Sequence, residues 1–326
     1  MKNSDETLKA SNRYSLPKVR VTREFGIFVG FLVLFISFSL LSSHFLSFGN
    51  LMDIALQSSI NAILAIGMTY VIITAGIDLS IGSLLALAGF IAADLMAKGS
   101  GVLVGVIGGL VVGIIGGLLN GLLISRLNLS PFIVTLGTMS VFRGLVLTYS
   151  DGEPVQTIPP LLKLMFAGYI GPVPVPVILA AVFAILAYLI LKYTPFGQHV
   201  VAVGGNYEAA KLTGINIDRT LLGVYIISGL ASALGALILV ARIGAAEPTA
   251  GTMYELDAIA AAVMGGSSLM GGSGSIVGTL IGALIIGTLR NGLTLLNVSS
   301  FYQQMVIGIV IILAVYLDHL SKRNNK

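Results

Sequence analysis

The segment VLVGVIGGLVVGIIGGLLNGLLIS, residues 102–125, contains no charged side chain. A helix of about 20 apolar residues is long enough to cross the ~30 Å hydrocarbon core of a bilayer. The whole 326-residue chain has the same character, because 56% of its residues are hydrophobic, 10% are charged and its mean hydropathy is +0.98. A water-soluble protein of this length needs far more charge to cover its surface. The composition therefore predicts an all-α, polytopic membrane protein.

The abundance of glycine and the absence of cysteine restrict the functions that the chain can have. The 40 glycines favour close helix packing in a bilayer, because small residues let two backbones approach. Without cysteine the chain has no disulfide, thiolate metal site or cysteine nucleophile, and we expect no metal site. The net charge of +4 does not indicate nucleic-acid binding, since the basic residues lie mainly at the chain ends and in short loops.

Ten apolar runs are candidates for transmembrane helices. Two regions, 52–97 and 255–296, are interrupted by glycine-rich or polar breaks, so eight or nine spans with re-entrant pieces also fit. The candidate spans are 25–43, 52–74, 79–97, 102–125, 131–149, 173–192, 219–241, 255–272, 275–296 and 301–318.

The distribution of basic residues supports ten spans with both termini in the cytoplasm. The polar head carries six Lys or Arg residues and no clear cleavage site, so the first apolar run is interpreted as a span rather than a cleaved signal. In this arrangement 13 of the 18 Lys and Arg residues face the cytoplasm. We predict a cytoplasmic tail 1–24, one transmembrane domain 25–320 with a cytoplasmic loop 193–218, and a cytoplasmic tail 321–326.

A weak internal similarity suggests two related halves. AILAIGM at 62–68 aligns without gaps with AIAAAVM at 258–264, and the same offset places Gly76 on Gly272 and Gly82 on Gly278. Many transporters consist of two repeats with broken helices at corresponding positions. Apolar sequences also align by chance, so two interpretations stay open, an internal repeat and a chance similarity.

Asp78 lies between two apolar segments, in TAGIDLSIGS at 74–83. A carboxylate near hydrocarbon is costly unless it faces protein or water, which favours a role at a helix break in the transport pathway. The alternative, which we favour, is that Asp78 caps a helix starting near Leu79. The two roles are compatible.

Other polar side chains interrupt the apolar runs. Intramembrane polar groups face the bundle interior or a cavity, so together they suggest a polar route, although each alone is better explained by a hydrogen bond between helices. Arg143 and Arg290 lie near helix ends, where snorkelling to the interface explains them. The predicted pathway residues are Gln57, Asn61, Asp78, Asn120, Asp257 and Asn291.

The glycine-rich stretch GGSSLMGGSGSIVG at 265–278 lacks the lysine of a phosphate-binding loop and does not follow a strand. We interpret it as an irregular break between two spans. The sequence contains neither a P-loop nor a nucleophile elbow, and its three histidines, His44, His199 and His319, lie near segment ends. We therefore expect a non-enzymatic protein that does not itself hydrolyse ATP and holds no cofactor.

The longest hydrophilic interior segment is YTPFGQHVVAVGGNYEAAKLTGINID at 193–218. Its composition predicts a short helix around Glu208 to Leu212, with glycines on both flanks. A short helix below the membrane indicates a docking element rather than an ordinary solvated loop.

These motifs resemble the sugar permeases of ATP-binding-cassette importers, and within that family the ribose type. The resemblance rests on AGIDLSIGSLLAL at 75–87, VGGNYEAAKLTGINID at 203–218, the glycine-rich block 248–287 and NGLTLLNVSSFYQQMVIGIVIILAV at 291–315. It covers the chain from about Phe45 to the C-terminus and adds nothing for the first 25 residues.

The resemblance implies a division of labour between several proteins in the bacterial inner membrane. A periplasmic or lipid-anchored binding protein delivers the sugar, two permease subunits form the pathway, and cytoplasmic ATPases bind ATP and hold a coupling helix. That helix matches 205–214, with Gly205, Asn206, Glu208, Ala209, Ala210, Lys211 and Gly214 as its coupling residues. Ribose is the expected sugar, although in such importers the binding protein sets most of the selectivity.

Two other functions are consistent with the sequence. An ion-coupled secondary transporter would need intramembrane carboxylates, for which Asp78, Asp94 and Asp257 are available near segment ends. A channel or a membrane enzyme is less favoured, because neither a selectivity-filter ring nor a catalytic set is evident in the sequence.

Overall fold

The computed structural model describes residues 23–324, most of which are helical. Residues 1–22 of the predicted tail 1–24 lie outside the described residues, as do residues 325 and 326 of the tail 321–326. A small antiparallel hairpin pairs β1 (Tyr169–Ile170) with β2 (Val173–Pro174). The helices are α1 Arg23–Leu41, α2 Phe48–Ile73, α3 Ile81–Ala97, α4 Val102–Arg126, α5 Pro131–Ser150, α6 Pro160–Ala167, α7 Val175–Tyr193, α8 Pro195–Gly205, α9 Tyr207–Leu212, α10 Ile217–Ile243, α11 Tyr254–Met264, α12 Ile276–Leu295 and α13 Ser300–Asn324.

Two long helices, α2 and α10, form the centre of the bundle and are buried over most of their length. The outer helices instead expose large apolar side chains, such as Leu103 of α4, Ile133 of α5 and Ile185 of α7, with 71%, 63% and 59% of their surface accessible. In water such a surface would drive aggregation, whereas lipid tails are as apolar as these side chains. The helical membrane bundle that the composition predicts is confirmed.

Glycines allow α4 and α10 to pack backbone against backbone. A Cβ atom on Gly113 would overlap the carbonyl oxygen of Gly229, and one on Gly117 would overlap that of Tyr225. Contacts of this kind are typical of membrane helices, where dispersion forces and close approach replace the hydrophobic effect. The glycine abundance therefore has its predicted structural role.

Six helices of the described residues are long and apolar enough to cross a membrane, namely α2, α4, α5, α7, α10 and α12. The apolar parts of α1 and α3 are shorter. The predicted span 255–272 is wrong as a continuous helix, because α11 ends at Met264 and 265–275 is irregular. At 1.5 Å per residue, α11 is only about 16 Å long, roughly half the hydrocarbon thickness.

The helices α3 and α11 both start inside the bundle, with their N-termini side by side. The start of α3 lies beside the middle of α10, since Asp78 accepts a hydrogen bond from Ser228. The start of α11 reaches the same place, because a Cβ atom on Gly82 would overlap the backbone oxygen of Gly251. The segment 244–253 therefore turns back into the bundle after α10, and Ala246, Pro248 and Gly251 of this irregular backbone are buried there.

The predicted internal repeat coincides with two helix–break–helix units. In one, α2 and α3 flank residues 74–80, and in the other α11 and α12 flank 265–275. The second helices begin at Ile81 and Ile276, within one residue of the offset found in the sequence. Common descent of the two units stays a prediction.

The helices α8 and α9 cover one end of the bundle, which we call the α9 end. Residues Ile124, Val203, Tyr207 and Leu221 line one cavity there, which brings the end of α4 and the start of α10 to the same place. The predicted short helix is confirmed as α9, but the sequence did not predict α8, which fills the first half of the loop 193–218.

Candidate translocation cavity and coupling segment

A polar cavity of about 180 Å³ lies between α2, α11 and α12. Three predicted pathway residues, Gln57, Asn61 and Asp257, line it. Residues Arg242, Tyr254 and Arg290 also line it, although the sequence did not place them in the pathway. Tyr254 and Arg242 lie beside the segment 244–253 that re-enters the bundle, and this re-entry was not visible in the sequence.

The charged pair of the cavity is Asp257 with Arg290, whose Nη2 donates to the carboxylate at 2.6 Å. Asp257 is nearly buried, while Arg290 is partly exposed. The snorkelling interpretation of Arg290 is therefore wrong, because its guanidinium turns inward to neutralise a carboxylate. A buried charge needs such a partner, since desolvation of an unpaired ion costs several kcal/mol.

The side chain of Asn61 supplies hydrogen-bonding capacity that the fold does not use. Its amide nitrogen and amide oxygen are both buried, and neither has a hydrogen-bond partner among the described residues. A buried polar group without a partner costs about 1–3 kcal/mol, which a water molecule or a hydroxylated solute would recover. Gln57 lies one helical turn before Asn61 and brings a second amide to the same wall.

Two further predicted pathway residues, Asp78 and Asn120, form a separate buried cluster. Asp78 accepts hydrogen bonds from the backbone N–H of Ser80 at 3.0 Å, from its hydroxyl at 2.6 Å and from the Ser228 hydroxyl at 2.7 Å. Asn120 donates to the Ser80 hydroxyl at 2.8 Å. These hydrogen bonds attach the break between α2 and α3 to α4 through Asn120 and to α10 through Ser228.

The favoured role of Asp78 as the helix cap is wrong in detail. The helix α3 begins at Ile81 and its N-cap residue is Ser80, whose side chain makes no cap hydrogen bond. Asp78 lies two residues earlier and accepts the N–H of Ser80, which gives the break a tight turn. The last predicted pathway residue, Asn291, donates to Asn50 at 2.8 Å and thereby joins α12 to α2 outside the cavity.

Arg143 holds the re-entrant segment 244–253 in place. Its Nη1 donates to the backbone oxygens of Pro248 at 2.6 Å and of Ala250 at 2.9 Å. Snorkelling is therefore also the wrong explanation for Arg143. The outer part of the segment is fixed as well, because Ala246 and Val155 form a β-bridge.

Asp94, one carboxylate available for ion coupling, lies at the end of α3 away from the breaks. It accepts hydrogen bonds from Lys98 at 2.9 Å and from the Tyr149 hydroxyl at 2.8 Å. The hydrogen bonds of Lys98 to Asp94 and Tyr149 raise the pKa of Lys98, so the ammonium stays charged beside the carboxylate.

The coupling residues predicted at 205–214 form a compact exposed element. The side chain of Asn206 caps α9 by accepting the N–H of Ala209 at 3.0 Å, while Ala210 is buried against the bundle. Gly214 has a φ of 82°, a left-handed conformation that glycine adopts without strain. Glu208 and Lys211 are exposed, as is Leu212 at 87% accessibility, so α9 presents a free outer face.

Comparison with known proteins gives extensive matches. The family model described as "Branched-chain amino acid transport system / permease component" matches residues 50–315. The ribose import permease protein RbsC of Bacillus subtilis is 48% identical over 300 residues, which cover 91% of this chain and 93% of that protein. No solved structure matches the chain with significance.

Two further relatives come from Escherichia coli K12. Its ribose import permease protein RbsC is 46% identical over 296 residues, covering 89% of this chain and 92% of the relative. Its D-allose transport system permease protein AlsC is 41% identical over 286 residues, covering 87% and 88%. The resemblance to sugar permeases that the sequence motifs carried is confirmed, and this chain belongs to the family of transport-system permease components.

Proposed function

We propose that this chain is the membrane-spanning permease subunit of an ATP-binding-cassette importer that moves ribose into the cytoplasm. The observation that carries the proposal is the 48% identity, over 91% of the chain, to a ribose import permease. The sugar specificity comes from these relatives. The polar cavity supports a hydroxylated solute of small size.

The energy source in this proposal is a separate cytoplasmic ATPase that binds ATP and docks on α9. The exposed face of α9, with Glu208, Lys211 and Leu212, supports a docking role. Two copies of the chain would complete the pathway, and a binding protein would deliver ribose at the opposite end. The chain itself would contribute no catalytic residue and no cofactor.

The orientation in this proposal follows from charge. Arg126 and Arg219 lie at the ends of α4 and α10 that meet at the α9 end, and Arg126 approaches Asp218 at 3.6 Å. Lys192 lies in the last turn of α7, just before α8. Under the positive-inside rule this end faces the cytoplasm of a bacterial inner membrane, which supports cytoplasmic tails at both termini. In this topology nine full or shortened helices cross the membrane, namely α1, α2, α3, α4, α5, α7, α10, α12 and α13. The segment 244–253 and the half-helix α11 together form the tenth crossing.

In this proposal the sugar passes along the wall formed by Gln57 and Asn61. Amide groups can donate to and accept from sugar hydroxyls, and the unpartnered amide of Asn61 is poised to do both. The ion pair of Asp257 and Arg290 offers further polar contacts on the facing helices. Binding at such a site should be weak, because a pathway must release its solute.

The test replaces Asn61 with leucine, which is close to isosteric and removes both hydrogen-bonding atoms. We expect ribose uptake by the assembled importer to fall by about tenfold or more at low sugar concentration, through loss of one or two hydrogen bonds. The protein should still be produced and should still co-purify with its ATPase. Gln304→Leu, which removes an exposed amide of the helix α13 away from the cavity, is the matched control. Unchanged uptake by Asn61→Leu would contradict this route.

A further inference from the structure

Three parts of the chain meet backbone to backbone at the α9 end. They are the end of α2 at Ile73, the end of α8 at Gly204, and the irregular segment before α12 at Gly271 and Gly272. The N–H of Gly272 donates to the carbonyl oxygen of Ile73 at 2.8 Å. With Ala75, these residues form what we call the backbone junction.

No side chain separates the three segments at the junction. A Cβ atom on Gly204 would overlap the carbonyl oxygen of Ile73 and lie 2.8 Å from the nitrogen of Gly272. A Cβ atom on Gly271 would lie 2.5 Å from the oxygen of Gly204 and 2.9 Å from the Cβ of Ala75. Direct backbone contacts leave little room for compliance, since a side chain that could change rotamer is absent from the contact.

The junction is joined to α9 through a single residue. The N–H of Asn206 donates to Ala202 at 3.0 Å and ends α8, while its side chain caps α9 by accepting the N–H of Ala209 at 3.0 Å. Gly204 therefore lies two residues before Asn206, which ends α8 and caps α9. A rigid displacement of α9 reaches Gly204 without passing through a flexible linker.

The junction also borders both helix breaks. Ile73 is followed by the break 74–80, which contains Asp78 and leads into α3. Gly272 lies in the break 265–275, which separates α11 from α12. Those two helices carry Asp257 and Arg290, the charged pair of the polar cavity. The junction is thus linked through Asn206 to α9, the element predicted to receive the ATPase, and it borders the breaks that lead to the cavity helices.

We propose that the backbone junction transmits movement of α9 to the two helix breaks, and that Gly204 is the positioning residue on which this transmission depends. The proposal rests on the proposed function as an ATP-driven permease. In it, ATPase closure shifts α9 and Gly204, and the shared contacts shift the ends of α2 and of the segment before α12 together. Loss of close contact would let the ATPase turn over without moving the cavity.

The first test is Gly204→Ala in the complete importer, measured as ribose molecules taken up per ATP hydrolysed. The added methyl group separates α8 from Ile73, so we expect this ratio to fall about twofold or more while ATP hydrolysis and ATPase association persist. Gly144→Ala is the matched control, because a Cβ atom on Gly144, in the helix α5, meets nothing within 4 Å. The control should keep the wild-type ratio.

The second test, Ala75→Gly, loosens the junction without adding an atom. Ala75 has a φ of 61°, which glycine adopts more easily than alanine, so the variant should fold even if Gly204→Ala does not. We again expect a lower ratio of ribose to ATP. Wild-type ratios in Ala75→Gly, or uptake and hydrolysis that fall in parallel in both variants, would overturn the inference. Failure of the proposed function would instead show in the wild-type protein, as uptake that needs no ATP.

Discussion

Asp78 shows how a buried carboxylate can be part of the fold without a charged partner among the residues that the structure describes. Its three hydrogen-bond donors are all neutral, and they belong to Ser80 and Ser228. Through these contacts one side chain fixes the turn before α3 and attaches it to α10. These contacts support the structural interpretation of Asp78, and its role in the transport pathway stays a prediction.

Replacement of Asp78 by alanine and by asparagine separates the two interpretations. Alanine leaves three buried donors without an acceptor, so we expect a loss of about 3 kcal/mol or more in stability, seen as a lower melting temperature in detergent. Asparagine keeps an oxygen for Ser80 and can donate to the Ser228 hydroxyl, so stability and ribose uptake should stay close to wild type.

The asparagine variant also tests ion coupling. If the Asp78 carboxylate carried a transported proton or sodium ion, the Asn variant would fold normally but lose all uptake. That outcome would contradict a purely structural role for Asp78 and favour a secondary transporter.

At the residue scale the sequence predicted which side chains are polar and enclosed, but not what they contact. Gln57, Asn61 and Asp257 do meet in one cavity. The roles of Arg143 and Arg290 were missed because both lie near helix ends, where snorkelling is usually sufficient. Their actual partners, the segment 244–253 and Asp257, are brought to them only by tertiary folding.

At the scale of single elements, hydropathy predicted the long helices well and the short ones poorly. A window of about 20 apolar residues finds α4 because the whole span lies in one run. The same window joins α11 to the glycine-rich break that follows it, since both are apolar or neutral. Only the structure shows that α11 is a half-helix of 11 residues rather than a span. The helix α8 was missed because the two glycines at its C-terminal end are typical of irregular backbone.

The helix α9 carries the element-scale prediction. Glu208→Arg reverses a charge on its exposed face without burying anything, so the variant should insert and fold normally. If α9 docks on the ATPase, association measured by co-purification should weaken by roughly tenfold or more, because like charges at an interface cost several kcal/mol.

Two comparisons complete the α9 experiment. Deletion of 206–211 should abolish association altogether while the helices stay inserted. Glu153→Arg, an equally exposed residue in the loop after α5, should leave association unchanged. Co-purification and transport at wild-type levels in Glu208→Arg and in the deletion would show that the coupling assignment is wrong.

At the scale of the whole molecule, the composition was sufficient to predict a helical membrane bundle. The arrangement of the helices was not predictable, because in lipid every apolar face can be exposed at little cost and periodicity no longer indicates which face is inside. The structure shows α2 and α10 at the centre and apolar side chains on the outside. The two helix breaks meet α8 through glycine contacts that a hydropathy profile does not detect.

The central claim is that an external ATPase drives this chain, and reconstitution into liposomes tests it most directly. The measurement is uptake of labelled ribose by vesicles that contain the chain with its ATPase and binding protein, with and without ATP. We predict uptake only when ATP and both partners are present, and no ATP hydrolysis by the purified chain alone. Ribose uptake by the chain alone, driven by a proton or sodium gradient, would contradict this claim.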